Sequence, residues 1–286
     1  MGLNKLPSTQ AKAQSPAKLA ARACVALYQE LALYPKPGLV SFIDNGSHRD
    51  MTAQTFLRSI HALRPYFADM AELGSQLASF RKLQDRGIQA EADMLKATGG
   101  INTHRGAIFM LGLLCASAGL LQARGVSLSA NNLRESLQMA WGDDLLQKSR
   151  QVRNTRGWLL SRQHGLRSAA EEAALGLPCV FEVGLPALQQ ARQLQPCAHE
   201  QQRTVFLTLL GHVDDTNLVN RGGMAGLQFA RESARMALLG LQPGASVEPV
   251  LAVLHTAFVQ RNLSPGGCAD ALAATLWVDA VCGGRP

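Results

Sequence analysis

The chain has 286 residues, of which 47% are hydrophobic and 5% aromatic, and its formal net charge is +7 at pH 7. This length and apolar content suffice for one large domain with a core built mainly from Leu, Ala and Val. The cations are dispersed and no basic motif interleaved with aromatic residues is present, which argues against nucleic-acid binding. An anionic small molecule accounts for the positive charge equally well.

The cysteine pattern and the two most membrane-like stretches bear on the compartment. Six cysteines are scattered without a Cys-x-x-Cys pair or a zinc-ligand spacing, which favours a reducing, cytoplasmic environment. Residues 1–16 contain no long apolar run and are predicted to form a flexible tail. The most apolar stretch, Ile108 to Leu121, is shorter than the roughly 20 residues that span a bilayer. We therefore predict a buried core helix there and no membrane partner.

Residues 17–286 are predicted to form a single all-α domain of about ten or more helices. Ala17–Leu33 and Thr52–Phe80 come first, the latter with apolar residues spaced three and four apart. Six cations without an acid between Lys148 and Arg167 predict a mobile basic linker near residues 145–167. Further helices are predicted over Gln89–Thr98, Ala107–Gln122, Asn131–Trp141, Ser168–Leu175, Pro186–Leu194, Arg203–Gly211, Leu227–Leu239, Val247–Gln260 and Ala269–Val281.

Six short polar segments interrupt the helical pattern, and we call them the six loops. Gly and Pro stop helices, whereas Asn, Ser, Thr and Asp cap them. If the six loops converge, they provide backbone amides, cations and carboxylates suited to a polyphosphate and its metal. They are Pro35–Val40, Asn45–Met51, Gly99–Gly106, Asp214–Asn217, Arg221–Gly223 and Asn262–Gly267.

The order of these loops and their amino-acid sequences resemble those of the triphosphoribosyl-dephospho-coenzyme A synthases. The motifs are Pro-Lys-Pro-Gly-Leu-Val, Asn-Gly-Ser-His-x-Asp-Met, Gly-Gly-Ile-Asn-Thr-His-Arg-Gly, Asp-Asp-Thr-Asn, Arg-Gly-Gly and Arg-Asn-Leu-Ser-Pro-Gly-Gly, and the likeness covers Gln29 to Trp277. The resemblance implies an all-α, Mg²⁺-dependent enzyme that converts ATP and dephospho-coenzyme A into the α-linked triphosphoribosyl product and adenine. Two departures stand out: Ser41 replaces a usual Asp, and Arg167-Ser168-Ala169 replaces Arg-Gly-Glu. Asp44 or Glu171 is the expected substitute.

The resemblance also implies a pathway and partners. The product is the prosthetic-group precursor for the acyl carrier subunit of citrate lyase or malonate decarboxylase, and the wording of the second and fourth loops favours citrate lyase. Expected partners are the substrates ATP and dephospho-coenzyme A, the downstream carrier-protein transferase, and a second copy in a homodimer.

Displacing adenine from ribose builds positive charge on the sugar and requires the incoming hydroxyl to lose a proton. His48 and Asp50, two residues apart in a turn, are the first candidates for acid and base. His104 is a further candidate, as a donor to a phosphate oxygen or as the acid that protonates the leaving adenine. The alternative for His48 and Asp50 is a solvent-facing turn, and for His104 a capping or core role.

Asp214 and Asp215 are candidate Mg²⁺ ligands that would bridge to the triphosphate. A helix N-cap with a first-turn carboxylate is the competing interpretation. Lys36, Arg105 and Arg221 are candidate phosphate ligands because each lies beside glycines that let a ligand approach the backbone. The remaining candidate nucleotide contacts are Gly38, Ser47, Asn102, Thr103, Asn217, Ser264, Gly266 and Gly267.

Two other functions remain open at this stage. A helical ADP-ribose or nucleoside hydrolase would use the same carboxylates and release adenine without dephospho-coenzyme A. A non-catalytic nucleotide sensor would keep Lys36, Arg105 and Arg221 but would not depend on His48, Asp50 or Asp214.

Overall fold

The computed structural model describes residues 14–151 and 155–283. Within these ranges the chain forms α-helices and one π-helical turn over Cys179–Gly184, with no strand, which confirms the all-α prediction. The helices are α1 Pro16–Ala32, α2 Ala53–Ser75, α3 Phe80–Thr98, α4 Arg105–Ala123, α5 Ala130–Arg150, α6 Arg156–His164, α7 Ala169–Ala174, α8 Leu185–Leu194, α9 Ala198–Leu210, α10 Thr216–Gly240, α11 Glu248–Gln260 and α12 Gly266–Val281.

Side-chain caps set several helix starts. The Ser15 hydroxyl accepts a hydrogen bond from the Lys18 amide at the start of α1, and Thr52 and Thr55 form a reciprocal capping box at α2. These contacts satisfy backbone donors that the first turn leaves without partners. At the other end of α3, Gly99 adopts a left-handed conformation with φ 72°, which favours glycine and stops the helix.

Helix α4 is the centre of the core, where it packs closely against α2. A Cβ atom on Gly74 would lie 1.9 Å from the Ala116 carbonyl oxygen, and one on Gly119 would lie 1.9 Å from that of Ala71. Glycine therefore allows the two backbones to touch. Helix α4 is long and apolar enough to cross a membrane by composition, but 78% of its apolar window is buried inside the protein. The predicted core helix is thus confirmed.

Some predicted helix boundaries were wrong. The helix expected over Thr52–Phe80 ends at Ser75, and Leu77 turns the chain with φ 48° before α3 begins at Phe80. Helix α3 therefore starts nine residues before the predicted Gln89. Helix α10 also begins earlier than predicted, at Thr216, and Gly223 forms a kink inside it with φ 63° and ψ −168°.

The segment predicted as a basic linker is largely helical. Helix α5 continues to Arg150 and α6 starts at Arg156, and the Trp158 indole donates to the Ser149 carbonyl at 3.1 Å. Helix α6 packs against α10. Residues 152–154 lie outside the described ranges, as do residues 1–13 of the predicted tail and the last three residues of the predicted domain.

The architecture places four inter-helix loops close to one another. Helix α12 packs against α1, α4, α9 and α10, so the connections that precede α4, α10 and α12 approach the long connection between α1 and α2. The contacts among these loops define the candidate site.

Candidate active site

Hydrogen bonds join three of the six loops directly. The Ser47 amide donates to the Gly38 carbonyl at 3.0 Å, and the Ser47 hydroxyl donates to the Leu263 carbonyl at 2.7 Å. Gly38 is required here because a Cβ atom would lie 2.0 Å from the Leu263 carbonyl oxygen, at a φ of 71°. Ser47 and Gly38, both predicted nucleotide contacts, therefore hold the loops together.

Arg221 connects the kinked start of α10 to the same loops. Its Nη1 donates to the Ser47 carbonyl at 3.0 Å and to Asn262 Oδ1 at 2.8 Å, while its Nη2 lies 3.1 Å from His48 Nδ1. The planar guanidinium suits this arrangement because its donors point in fixed directions. Arg221 was predicted to bind phosphate, and the structure shows it bound to loop atoms and to His48.

His48 lies between Arg221 and Ser264. A guanidinium can only donate, so His48 Nδ1 accepts from Arg221 and the ring proton is on Nε2, which lies 2.8 Å from Ser264 Oγ. Burial, together with the Arg221 charge, lowers the pKa of His48 to about 4 against the opposing effect of Asp50. His48 is thus a neutral donor to Ser264 at pH 7, and the Ser264 hydroxyl proton remains available to another acceptor.

Asp50 is more distant from His48 than predicted pairing would require. Its Oδ1 lies 3.8 Å from His48 Nδ1, and 63% of its side chain is exposed. Arg221, rather than Asp50, orients the imidazole. The exposed Asp50 carboxylate remains accessible to a substrate hydroxyl beside His48.

Asp215 caps α10 and links it to α12. Its Oδ1 accepts from the Asn217 amide at 2.9 Å, and its Oδ2 accepts from the Cys268 amide at 3.0 Å. The residue is 1% exposed, and burial raises the pKa of its carboxyl although both amides oppose the shift. The structure therefore supports the capping interpretation for Asp215.

Asp214 is also engaged by protein groups. Its Oδ2 accepts from the Arg167 amide at 2.9 Å, and its Oδ1 forms an ion pair with Arg231. No group of three or more His, Cys, Asp or Glu side chains arranged to hold a metal occurs within residues 14–151 and 155–283. The predicted Mg²⁺ ligands Asp214 and Asp215 thus do not fit a metal site formed by protein alone.

The glycines that begin α12 are required by close packing. A Cβ atom on Gly266 would lie 2.9 Å from Asn217 Nδ2, and one on Gly267 would lie 3.1 Å from the Asp215 carboxylate. Asn217, Gly266 and Gly267 were predicted as nucleotide contacts. The structure brings all three together at the junction of α10 and α12.

Lys36, one of the predicted phosphate ligands, is buried. It is 1% exposed and its Nζ forms an ion pair with Glu30 and a hydrogen bond to the Glu30 carbonyl. Burial lowers the pKa of Lys36, and the Glu30 charge opposes that shift. With both short contacts inside the protein, Lys36 does not present its ammonium at the surface.

The loop before α4 leaves two buried polar atoms without hydrogen-bond partners among the described residues. They are Thr103 Oγ1 and His104 Nε2. His104 is 3% exposed, its Nδ1 lies 2.7 Å from Ser59 Oγ, and burial with the Lys36 charge lowers its pKa to about 3. Polar atoms rarely remain buried without partners, so these two atoms are candidates for contact with a ligand.

The neighbours of His104 are more exposed. The Arg105 guanidinium forms an ion pair with Glu91 at 2.8 Å, and Asn102 Oδ1 accepts from the Arg105 amide at 3.2 Å. Both side chains lie at the N-terminus of α4, where backbone amides favour anions. Arg105 and Asn102 are therefore accessible to a phosphate.

Four residues in or beside the site were not among the predicted site residues. Asp270 lies in α12 against Gly106, where an added Cβ would be 2.0 Å from Asp270 Oδ2. Burial and the nearby Glu30 and Asp215 charges raise the pKa of Asp270 well above its ordinary value. The position of Asp270 just after the last loop is the only sequence feature that could have indicated it. No sequence feature indicates Glu30, Ser59 or His255.

The two expected substitutes for missing acids have other partners. Asp44 Oδ2 lies 3.2 Å from His255 Nε2, and Asp44 Oδ1 accepts from the Gly46 amide at 2.8 Å. Glu171 forms a capping box with Ser168 at the start of α7. Asp44 lines a recess of about 300 Å³ between residues 41–45 and 52–54, next to the loops.

Comparison with known proteins places this geometry in context. A family model described as "ATP:dephospho-CoA triphosphoribosyl transferase" matches residues 16–285. The chain is 41% identical to the "2-(5''-triphosphoribosyl)-3'-dephosphocoenzyme-A synthase" of Pectobacterium atrosepticum, covering 89% of this chain and 86% of that protein. It is 38% identical to a "Probable 2-(5''-triphosphoribosyl)-3'-dephosphocoenzyme-A synthase" of Vibrio cholerae serotype O1, covering 87% and 83%. A relative from Acinetobacter calcoaceticus with the same "Probable" name is 36% identical, covering 88% and 87%. No solved structure matches the chain.

Proposed function

The chain belongs to the CitG family of ATP:dephospho-CoA triphosphoribosyl transferases, and we propose that its converging loops carry out that transfer. The reaction joins the triphosphoribosyl group of ATP to the 2'-hydroxyl of dephospho-coenzyme A and releases adenine. The observation that supports these loops as the site is the series of contacts from Arg221 through His48 to Ser264, which joins the start of α10 to two loops and leaves one hydroxyl proton available.

The acceptor hydroxyl binds beside His48 in this proposal. Ser264 accepts from His48 Nε2 and donates its own proton to an oxygen of the substrate. The exposed Asp50 carboxylate then takes the proton of the attacking 2'-hydroxyl, because His48 Nδ1 is already bound to Arg221. Attack on the face opposite adenine forms the new C1'–O bond as the C1'–N9 bond breaks, which inverts the β-linkage of ATP to the α-linkage of the product. Adenine leaves with the electron pair of the broken bond and takes a proton from water.

The triphosphate binds at the N-terminus of α4. Backbone amides, the Arg105 guanidinium, the Asn102 side chain and the unpartnered Thr103 hydroxyl supply donors there. Lys36 contributes a buried positive charge paired with Glu30 and does not contact phosphate. Mg²⁺ would be held mainly by the triphosphate oxygens, because Asp214 and Asp215 are engaged by protein groups, and it would neutralise part of the phosphate charge.

The pathway and assembly are parts of the proposal as well. We assign the product to the acyl carrier subunit of citrate lyase, with malonate decarboxylase as the alternative that shares the same step. The proposed partners are the downstream carrier-protein transferase and a second copy of the chain in a homodimer, in the cytoplasm. Purified citrate lyase and malonate decarboxylase carrier proteins, each supplied with the product and its own transferase, would distinguish the two pathways.

Adenine release with and without dephospho-coenzyme A tests the function. The purified chain is incubated with ATP and Mg²⁺, and adenine is measured by chromatography. Release that requires dephospho-coenzyme A supports the transferase. Equal release without it supports the helical hydrolase, and no release together with ATP binding supports a nucleotide sensor.

A further inference from the structure

Ser59 and His104 form an isolated polar pair in the core. Ser59 lies in α2 and is fully buried, and His104 precedes α4. Ser59 Oγ and His104 Nδ1 are 2.7 Å apart. The Phe56 ring packs edge to face against the His104 imidazole, with 4.9 Å between the ring centroids. These contacts fix the imidazole in one orientation.

The hydrogen bonds available to this pair determine where the protons lie. Ser59 Oγ has His104 Nδ1 as its hydrogen-bond partner among the described residues. If His104 Nδ1 carried the ring proton, the Ser59 hydroxyl would accept it and its own proton would be buried without an acceptor. If Ser59 donates instead, its proton is used and the ring proton lies on Nε2. The second arrangement satisfies the serine fully.

We propose that Ser59 is a positioning residue that holds His104 as a neutral imidazole with its proton on Nε2, so that His104 acts as a hydrogen-bond donor to ATP. Nε2 is buried and has no partner in the described parts of the chain. The acceptors that ATP offers are phosphate oxygens and adenine ring nitrogens. The donor role rests on the proposed function, whereas the position of the proton is a property of the free protein.

The surroundings of His104 favour the neutral form. Burial is the larger cause of the lowered pKa of His104, and the charge of Lys36, which is paired with Glu30, acts in the same direction. A neutral imidazole donates without titrating near pH 7 and needs no proton from solvent. Of the two roles that the sequence predicts for His104, the neutral imidazole favours hydrogen-bond donation over full proton transfer to adenine.

Nitrogen NMR of the histidine-labelled full chain tests the proton position directly. We expect His104 to show a protonated Nε2 and an unprotonated Nδ1, unchanged between pH 5 and 8. In Ser59→Ala, both tautomers should appear. A protonated Nδ1 in the wild type, or titration of His104 within that pH range, would overturn the proposal.

Kinetics of adenine release then test the donor role. We expect Ser59→Ala to lower kcat about tenfold, the size of one hydrogen bond, and Ser59→Thr to restore most of it. Ser117→Ala is the matched control, because Ser117 is also a fully buried helical serine but its hydroxyl has no partner within residues 14–151 and 155–283. If Ser59→Ala matched Ser117→Ala in both rate and tautomer, Ser59 would have no positioning role.

Two substitutions of His104 separate donation from packing. His104→Gln keeps an N–H donor near the position of Nε2, whereas His104→Phe keeps the ring contact with Phe56 and loses the donor. We expect His104→Gln to retain at least tenfold more activity than His104→Phe, and equal losses would contradict donation. A wild-type protein with the expected tautomer but without dephospho-coenzyme A-dependent release would support the Ser59 assignment and refute the proposed function.

Discussion

Arg221 Nη2 lies 3.1 Å from His48 Nδ1, and this contact fixes the ring proton of His48 on the nitrogen that faces Ser264. An arginine from the start of α10 thus controls a histidine in the connection between α1 and α2. The same guanidinium holds the Ser47 carbonyl and Asn262 in place.

Replacing Arg221 tests this relationship. Arg221→Lys keeps the charge but cannot reach Ser47, Asn262 and His48 together, so we expect kcat to fall about 30-fold or more, the effect of about 2 kcal/mol. Steady-state adenine release measures it. Arg81→Lys, at an exposed position in the first turn of α3 and at the other end of that helix from Gly99, is the control and should remain within about twofold. An Arg221→Lys variant as active as this control would remove Arg221 from the site.

The pKa of His48 predicts a pH dependence of stability. Its folded pKa of about 4 lies below its ordinary value of 6.5, so the unfolded chain binds more protons between those values. The stability that neutral His48 contributes is present above pH 6.5 and is lost as pH falls toward 4, by about 2 kcal/mol. Urea unfolding at pH 7, 5.5 and 4 should show a smaller loss for His48→Gln than for the wild type. Parallel losses in the two proteins would contradict the burial of neutral His48.

The loops illustrate what sequence could predict and what it could not. Their positions followed from Gly, Pro and capping residues, and the structure joins them through contacts such as Ser47 with Leu263. The partners of individual side chains did not follow, because they depend on residues distant in sequence. Asp215 reaches Cys268, and Ser59 in an apolar helix reaches His104. The burial of Lys36 did not follow either, because its partner Glu30 lies in the last turn of an ordinary amphipathic helix and carries no sequence signal.

Asp215 is predicted to matter for stability. The Asp215 carboxylate accepts hydrogen bonds from two backbone amides. In Asp215→Asn, the side-chain NH₂ would face one of these N–H donors, and the lost hydrogen bond would lower the free energy of unfolding by about 1 to 3 kcal/mol. The melting temperature should fall by roughly 2 to 4 °C per kcal/mol. Asp214→Asn, which weakens a partly buried ion pair with Arg231, is the matched comparison and should cost less because Asp214 is more exposed than Asp215. A wild-type melting temperature for Asp215→Asn combined with lost metal dependence would restore the metal-ligand interpretation.

Gly106 is predicted to be intolerant of any side chain. In Gly106→Ala, the new Cβ would meet Asp270 Oδ2 at 2.0 Å, so the buried Asp270 side chain must turn away or α4 and α12 must move apart, at a cost of about 1 to 3 kcal/mol. Gly87→Ala is the control because its Cβ would meet only the Tyr66 hydroxyl, at 3.8 Å, within a helix. That change should be neutral or stabilise the fold by up to about 1 kcal/mol. Denaturant unfolding of both variants checks the difference, and equal stabilities would show that Asp270 does not pack there.

The stoichiometry of one reaction containing ATP, Mg²⁺ and dephospho-coenzyme A distinguishes the proposed transferase from a hydrolase. Adenine is quantified by chromatography, and the coenzyme product is identified by mass. A transferase releases one adenine for each dephospho-coenzyme A that gains a triphosphoribosyl group. Adenine accompanied by free ribose triphosphate, with dephospho-coenzyme A unchanged, would contradict it.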